Sequence, residues 1–210
     1  MSTSKTAMSE PAAYIAPFRD LLPPNARLLV QAGAGDGGLA RAYRKLYPAS
    51  GLMVVEADPA LAAQAREYAD RVYQADLDTV SAAFYQQLAW ADGWYFDATL
   101  EQCQQPQRVL QQVCKVMPVD TCIIARIANR SHWQAPETTP RHQWDLAAML
   151  TLFAGSGLRV TSGILLNPGP LPADVEAALR QQAGDDENVL AALVEATQPS
   201  HYLIKAVPER

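Results

Sequence analysis

The apolar run Arg27-Leu28-Leu29-Val30 leads within a few residues into Gly33-Ala34-Gly35-Asp36-Gly37-Gly38. The run reads as a buried strand, and the glycines force a tight turn where backbone can approach another group closely. Leu39 to Tyr47 then reads as a helix. Similar alternation continues along the chain. Leu52 to Val55 reads as a second strand, followed by Asp58-Pro59 as a helix start and an alanine-rich helix over Ala60 to Ala69. A third strand, Val72 to Ala75, ends at Asp76, and Val80 to Leu88 reads as helical. Further strands are expected at Trp94 to Phe96, Thr121 to Ile127, Leu158 to Leu166 and His201 to Val207. Helices are expected from Pro106 and over Gln143 to Ala154, and two more within 171–197, split by Gly184-Asp185-Asp186. An amphipathic helix over Pro11 to Leu22 precedes the first strand, and residues 1–10 read as a flexible tail. Strands alternating with helices imply an α/β domain with a mostly parallel sheet covered on both faces.

A strand, a glycine-rich turn and a helix form a nucleotide-binding arrangement, because the helix N-terminus offers unpaired N–H groups. The glycines satisfy two templates. Gly33, Gly35 and Gly38 fit the dinucleotide fingerprint, whereas Gly33, Gly35 and Gly37 fit an S-adenosylmethionine loop. Glu56, ending the second strand, is placed to accept hydrogen bonds from two ribose hydroxyls, which serves either cofactor. Asp76 could accept from an adenine amino group, a contact that dinucleotide folds do not generally need.

Taken in order, Leu28 to Trp133 resembles a class I S-adenosylmethionine-dependent methyltransferase, of the small Rossmann-like kind. Leu29-Val30-Gln31-Ala32-Gly33-Ala34-Gly35-Asp36-Gly37 resembles the first motif, Val54-Val55-Glu56-Ala57-Asp58-Pro59 the ribose segment, and Ala75-Asp76-Leu77 the adenine segment. Asp92 to Cys103 resembles the fourth strand and the loop after it. The resemblance implies a seven-stranded, mostly parallel sheet with helices on both faces. Its last two strands would form an antiparallel C-terminal edge hairpin around the helical insert 171–197, all within one domain over 11–210. It implies S-adenosylmethionine as cofactor. Gln31, Gly33, Gly35 and Gly37 would lie under its methionine part, Glu56 at the ribose, and Asp76 and Leu77 at the adenine, with Asp97 also in the site. Glu101, Asn129, Arg130 and His132 would lie on the acceptor side, with His132 the candidate base. Methyl transfer itself requires chiefly orientation and exclusion of water, so it dictates no fixed catalytic residue.

Two features motivate an alternative, a non-catalytic member of the fold acting through protein partners. Gln31 stands where the motif usually has an acid, and Gln102 where a histidine usually follows Glu101. A nicotinamide-dependent oxidoreductase, resting on Gly38, is the minor alternative. With 17 basic and 22 acidic residues the net charge is −5, which offers no bulk field for nucleic acid or anionic lipid. Cys103, Cys114 and Cys122 form no C-x-x-C pair and read as reduced thiols of a cytoplasmic protein. The three histidines lack metal-ligand spacing, so no metal is expected. The expected partner is a small-molecule acceptor, sugar-related or anionic given the basic residues Arg126, Arg130, His132, Arg141 and His142. No nucleic acid or membrane partner is expected, and a homodimer remains open.

Overall fold

The structure, a computed structural model, describes residues 10–24, 26–134, 140–166 and 169–209. One sheet holds β1 (Leu28–Ala32), β2 (Gly51–Glu56), β3 (Arg71–Gln74), β4 (Gly93–Asp97), β5 (Cys122–Ala128), β6 (Leu158–Leu166) and β7 (His201–Pro208). Their order is β3-β2-β1-β4-β5-β7-β6. The first five pair in parallel, while β7 runs antiparallel between β5 and β6. This is the Rossmann-like methyltransferase arrangement, with the antiparallel C-terminal hairpin at one edge.

Parallel pairing demands crossovers, and helices supply them on both faces. On one face lie α1 (Glu10–Leu21), α2 (Gly38–Leu46) and α3 (Pro59–Ala65). There Tyr14, Phe18, Leu39, Tyr43 and Ala65 pack with Leu29, Val54, Tyr95, Ile124 and Leu203. On the other lie α4 (Ala82–Gln86), α5 (Pro106–Val116) and α6 (Leu146–Ala154). Tyr85, Val109, Val113 and Phe153 pack there with Val30, Trp94, Phe96 and Ile123. The expected insert is a helix pair, α7 (Ala173–Ala183) and α8 (Glu187–Thr197), with Gly184 left-handed between them and Asp186 capping α8.

Three helices are shorter than the sequence suggests. α3 stops at Ala65 rather than Ala69, because turn bonds from Glu67 to Gln64 and Tyr68 to Ala65 replace the helix ladder. That turn brings Tyr68 to the glycine loop. α6 starts at Leu146 because the Asp145 carboxylate caps it, accepting from Ala148 N at 2.8 Å. α4 is likewise confined to Ala82–Gln86, within the expected 80–88. The expected tail falls on residues 1–9, outside the described residues, and on Glu10, which opens α1.

All five parallel strands end at one edge of the sheet, and β7 begins there. Behind that edge Trp94 is fully buried, its ring stacked between Tyr85 (6.4 Å) and Phe96 (6.3 Å). Replacing Trp94 with Ala should cost about 3–5 kcal/mol, read as a lower urea midpoint; an unchanged midpoint would contradict this core assignment.

Candidate functional site

The loop after β1 turns through Gly33, Gly35 and Gly37, at φ 79°, 52° and 69°. This left-handed region is costly for a residue with a side chain. At Gly37 a Cβ would also come within 2.6 Å of the Tyr68 ring. At Gly35 it would meet nothing within 4 Å, so this peptide faces open space.

The Ala34 peptide at the centre of the loop is held from both sides. Its N–H donates to Glu56 Oε2 at 2.6 Å. Its carbonyl accepts from Gln31 Nε2 at 2.7 Å and from Tyr68 OH at 3.3 Å. The other Glu56 oxygen accepts from Asp58 N at 2.8 Å. Arg41 stacks on Tyr68 at 4.7 Å and donates to the Asp36 carbonyl. Asp36 itself accepts from Gly38 N, the bond of a turn residue. Beneath the loop, Gln31 and Tyr95 stand opposite each other on β1 and β4. Gln31 Oε1 and Tyr95 OH are both buried without a hydrogen-bond partner.

Beyond β3, Asp76 accepts from Asp78 N, and the carbonyl of buried Leu77 accepts from Tyr85 OH at 2.7 Å. Asp78 joins this loop to the start of α5 by accepting from Gln104 N and Gln105 N.

Across the ends of β4 and β5, Asp97 pairs with Arg126 and accepts from Tyr14 OH at 3.1 Å. The Arg126 guanidinium lies 4.6 Å from the Tyr14 ring centre. Burial, with Asp97 adding to it, pushes the Tyr14 hydroxyl well above its ordinary range. Two residues expected on the acceptor side are buried and hydrogen-bond to backbone. Glu101 accepts from Ala128 N at 2.8 Å, its other oxygen has no partner, and burial pushes its carboxyl up. Asn129 donates to the carbonyls of Ala196 and Pro199 and accepts from Ser131 N. Arg130 pairs with Asp145, and His132 Nδ1 lies 3.1 Å from the Thr197 carbonyl. The five-residue basic group therefore resolves in part into separate pairs rather than one cationic patch.

Tyr14, Tyr68, Tyr95 and His201 sit among these groups without having been singled out from sequence. Tyr14 and His201 reach the site only through tertiary folding. Tyr68 lay inside an expected helix, and Tyr95 inside an expected strand. His201 opens β7 opposite Ala128. Burial, followed by Arg126 and His132, lowers its imidazole from 6.5 to about 4. Two open concavities, of about 520 Å³ and 590 Å³, lie along α5 and are not lined by the glycine loop. Among the described residues no group of three or more His, Cys, Asp or Glu could hold a metal ion, and no helix is long and apolar enough to cross a membrane.

No family model matches the chain, and no curated protein matches its sequence. Solved structures share its fold. An S-adenosylmethionine dependent methyltransferase from Mesorhizobium loti superposes with a TM-score of 0.62 at 18% identity, over 93% of this chain and 97% of its own. The plantazolicin methyltransferase BpumL, solved in complex with SAH, gives 0.59 at 11% identity, over 95% and 82%. The cyclase SpnF gives 0.65 at 12% identity, over 99% and 84%. The fold is thus that of the Rossmann-like S-adenosylmethionine-dependent methyltransferases, and one of these three neighbours carries a cyclase name on it.

Two outcomes follow from this geometry. Gly37→Ala should lose about 1–2 kcal/mol from its left-handed backbone alone. It should lose more from the Tyr68 contact, and Tyr68→Ala in the same chain should restore that excess; additive losses in a double-mutant cycle would deny the contact. His201 is held neutral in the fold, while the unfolded chain takes up a proton from about pH 6.5 downward. Its contribution is therefore complete above 6.5 and lost as pH falls toward about 4. Urea unfolding between about pH 7 and pH 5 should show the wild type losing stability relative to His201→Gln; parallel curves would remove the assignment.

Proposed function

We propose that this protein transfers a methyl group from S-adenosylmethionine to a small-molecule acceptor. The carrying observation is the bare Gly35 peptide, with a loop strapped in place on either side of it. The residues present fit the cofactor on three counts. Gln31 Oε1 is a buried acceptor without a partner, suited to an ammonium group near the loop. A carboxylate has about four lone-pair sites, and Glu56 uses two on backbone N–H groups, leaving capacity for ribose hydroxyls. Gly35 lets a ligand approach the backbone closely. Asp76 and Leu77 would flank the adenine. When bound, the cofactor supplies a methyl group already activated on a sulfonium.

The chain's own work is then positioning. The Ala34 straps keep the loop from reorganising on binding, and the Asp97–Arg126–Tyr14 group fixes the floor beyond β4 without a mobile charge. The antiparallel β7 departs from the all-parallel order of dinucleotide folds, which weighs against an oxidoreductase. One observation favours the non-catalytic reading: side chains from β1, β2 and the segment after α3 already hold the Ala34 peptide of the glycine loop, with no ligand needed.

Calorimetric titration separates the readings. S-adenosylmethionine and S-adenosylhomocysteine should bind, Gly35→Asp should abolish both, and NAD should give no heat. Folded protein that binds neither adenosyl ligand would sink the proposal in favour of the non-catalytic reading.

A further inference from the structure

The hydrogen bonds at the start of β7 settle which nitrogen of His201 carries its proton. Ser200 Oγ donates to the Leu166 carbonyl at 3.0 Å, so its proton is already spent. His201 Nδ1 lies 3.1 Å from that oxygen and must be the donor between them. Nε2 is left as a bare lone pair, and it makes no hydrogen bond among the described residues. At neutral pH the ring stays uncharged, since burial, Arg126 and His132 all disfavour protonation.

Arg126 stands diagonally across the same ladder. Ala128 is opposite His201 and Arg126 opposite Leu203, so Arg126 and His201 share one face. Such diagonal neighbours are about 7–8 Å apart, within reach of long side chains. Nε of Arg126 is committed to Asp97. Its Nη groups donate to nothing among the described residues. Asp97 is in turn occupied by Arg126 and Tyr14. This edge of the sheet therefore offers a bare acceptor beside spare cationic donors.

A hydroxyl group is the complement of that pair. Its oxygen accepts from the guanidinium while its proton goes to Nε2. A protonated amine could satisfy Nε2, but it has no lone pair with which to accept from the guanidinium. We propose that Arg126 and His201 form a subsite that reads a hydroxyl on the acceptor, selecting alcohols or phenols over ammonium compounds. The inference deepens the methyl-transfer reading by naming the acceptor class and rests on it for its catalytic meaning. The binding geometry itself needs no cofactor.

Imidazole nitrogen NMR on the full-length, isotope-labelled protein tests it, with phenol as the hydroxyl probe and benzylammonium as the control. At neutral pH His201 should be the Nδ1–H tautomer. Phenol should shift its Nε2 resonance saturably, and benzylammonium should not. Arg126→Met should weaken the phenol response by about tenfold or more. Because that change also unpairs Asp97, Ser200→Ala is measured beside it. It removes the acceptor that fixes the tautomer, so an Nε2–H form should appear and phenol should bind more weakly with Asp97 undisturbed. An Nε2–H tautomer in the wild type, equal responses to both probes, or a phenol response unaltered in Ser200→Ala would each overturn the subsite. S-adenosylhomocysteine affinity is read separately. Its loss with the phenol response intact would sink methyl transfer alone, and the converse would sink the subsite alone.

Discussion

The glycine loop at the carboxyl edge of the sheet depends on the two-sided hold on the Ala34 peptide. A glycine-rich loop has many conformations to lose on ordering. Here one carboxylate fixes its N–H, and an amide and a phenol fix its carbonyl. The three side chains come from three places: Gln31 at the end of β1, Glu56 at the end of β2, and Tyr68 just past α3. Because each sits at or beyond the end of a packed element, the loop inherits the rigidity of the core. The open Gly35 peptide is therefore presented on a loop already in shape.

The hold also accounts for an amide rather than an acid at position 31. A carboxylate at that buried position would have no amide N–H to give the Ala34 carbonyl, and it would place a charge near Glu56 and Tyr95. The glutamine satisfies the loop with one end and leaves the other for a donor. The same economy recurs across β4 and β5, where Asp97 pairs with Arg126 and accepts from Tyr14 within a single cluster.

Strand positions and the crossover helices were legible because buried parallel strands are continuous apolar runs and glycine and proline mark their limits. The glycine loop was legible for the same reason, whereas the antiparallel edge hairpin came from the family resemblance alone. The ends of α3 and α6 were not. Alanine content favours helix through Ala69, yet the chain leaves it at Ala65, with Tyr68 bonded to the loop; Asp145 starts α6 late by capping it. Glu101 and Asn129 lie beyond the ends of β4 and β5. Sequence does not tell whether such a residue faces a ligand or ties down backbone, and here both tie down backbone. Tyr14 and Asp97 meet across 83 positions of sequence, a distance over which local pattern carries no information.

The insertion of β7 between β5 and β6 sets an order of assembly. Until β7 arrives, β5 presents a bare inner edge rich in isoleucine, the kind of edge that invites pairing with another chain. Nascent protein that has made β1 through β6 therefore carries an unpaired edge on β5. The strand that covers that edge also delivers His201. Burying the exposed edge and setting His201 opposite Ala128 are one folding event, so a chain caught short of it lacks both.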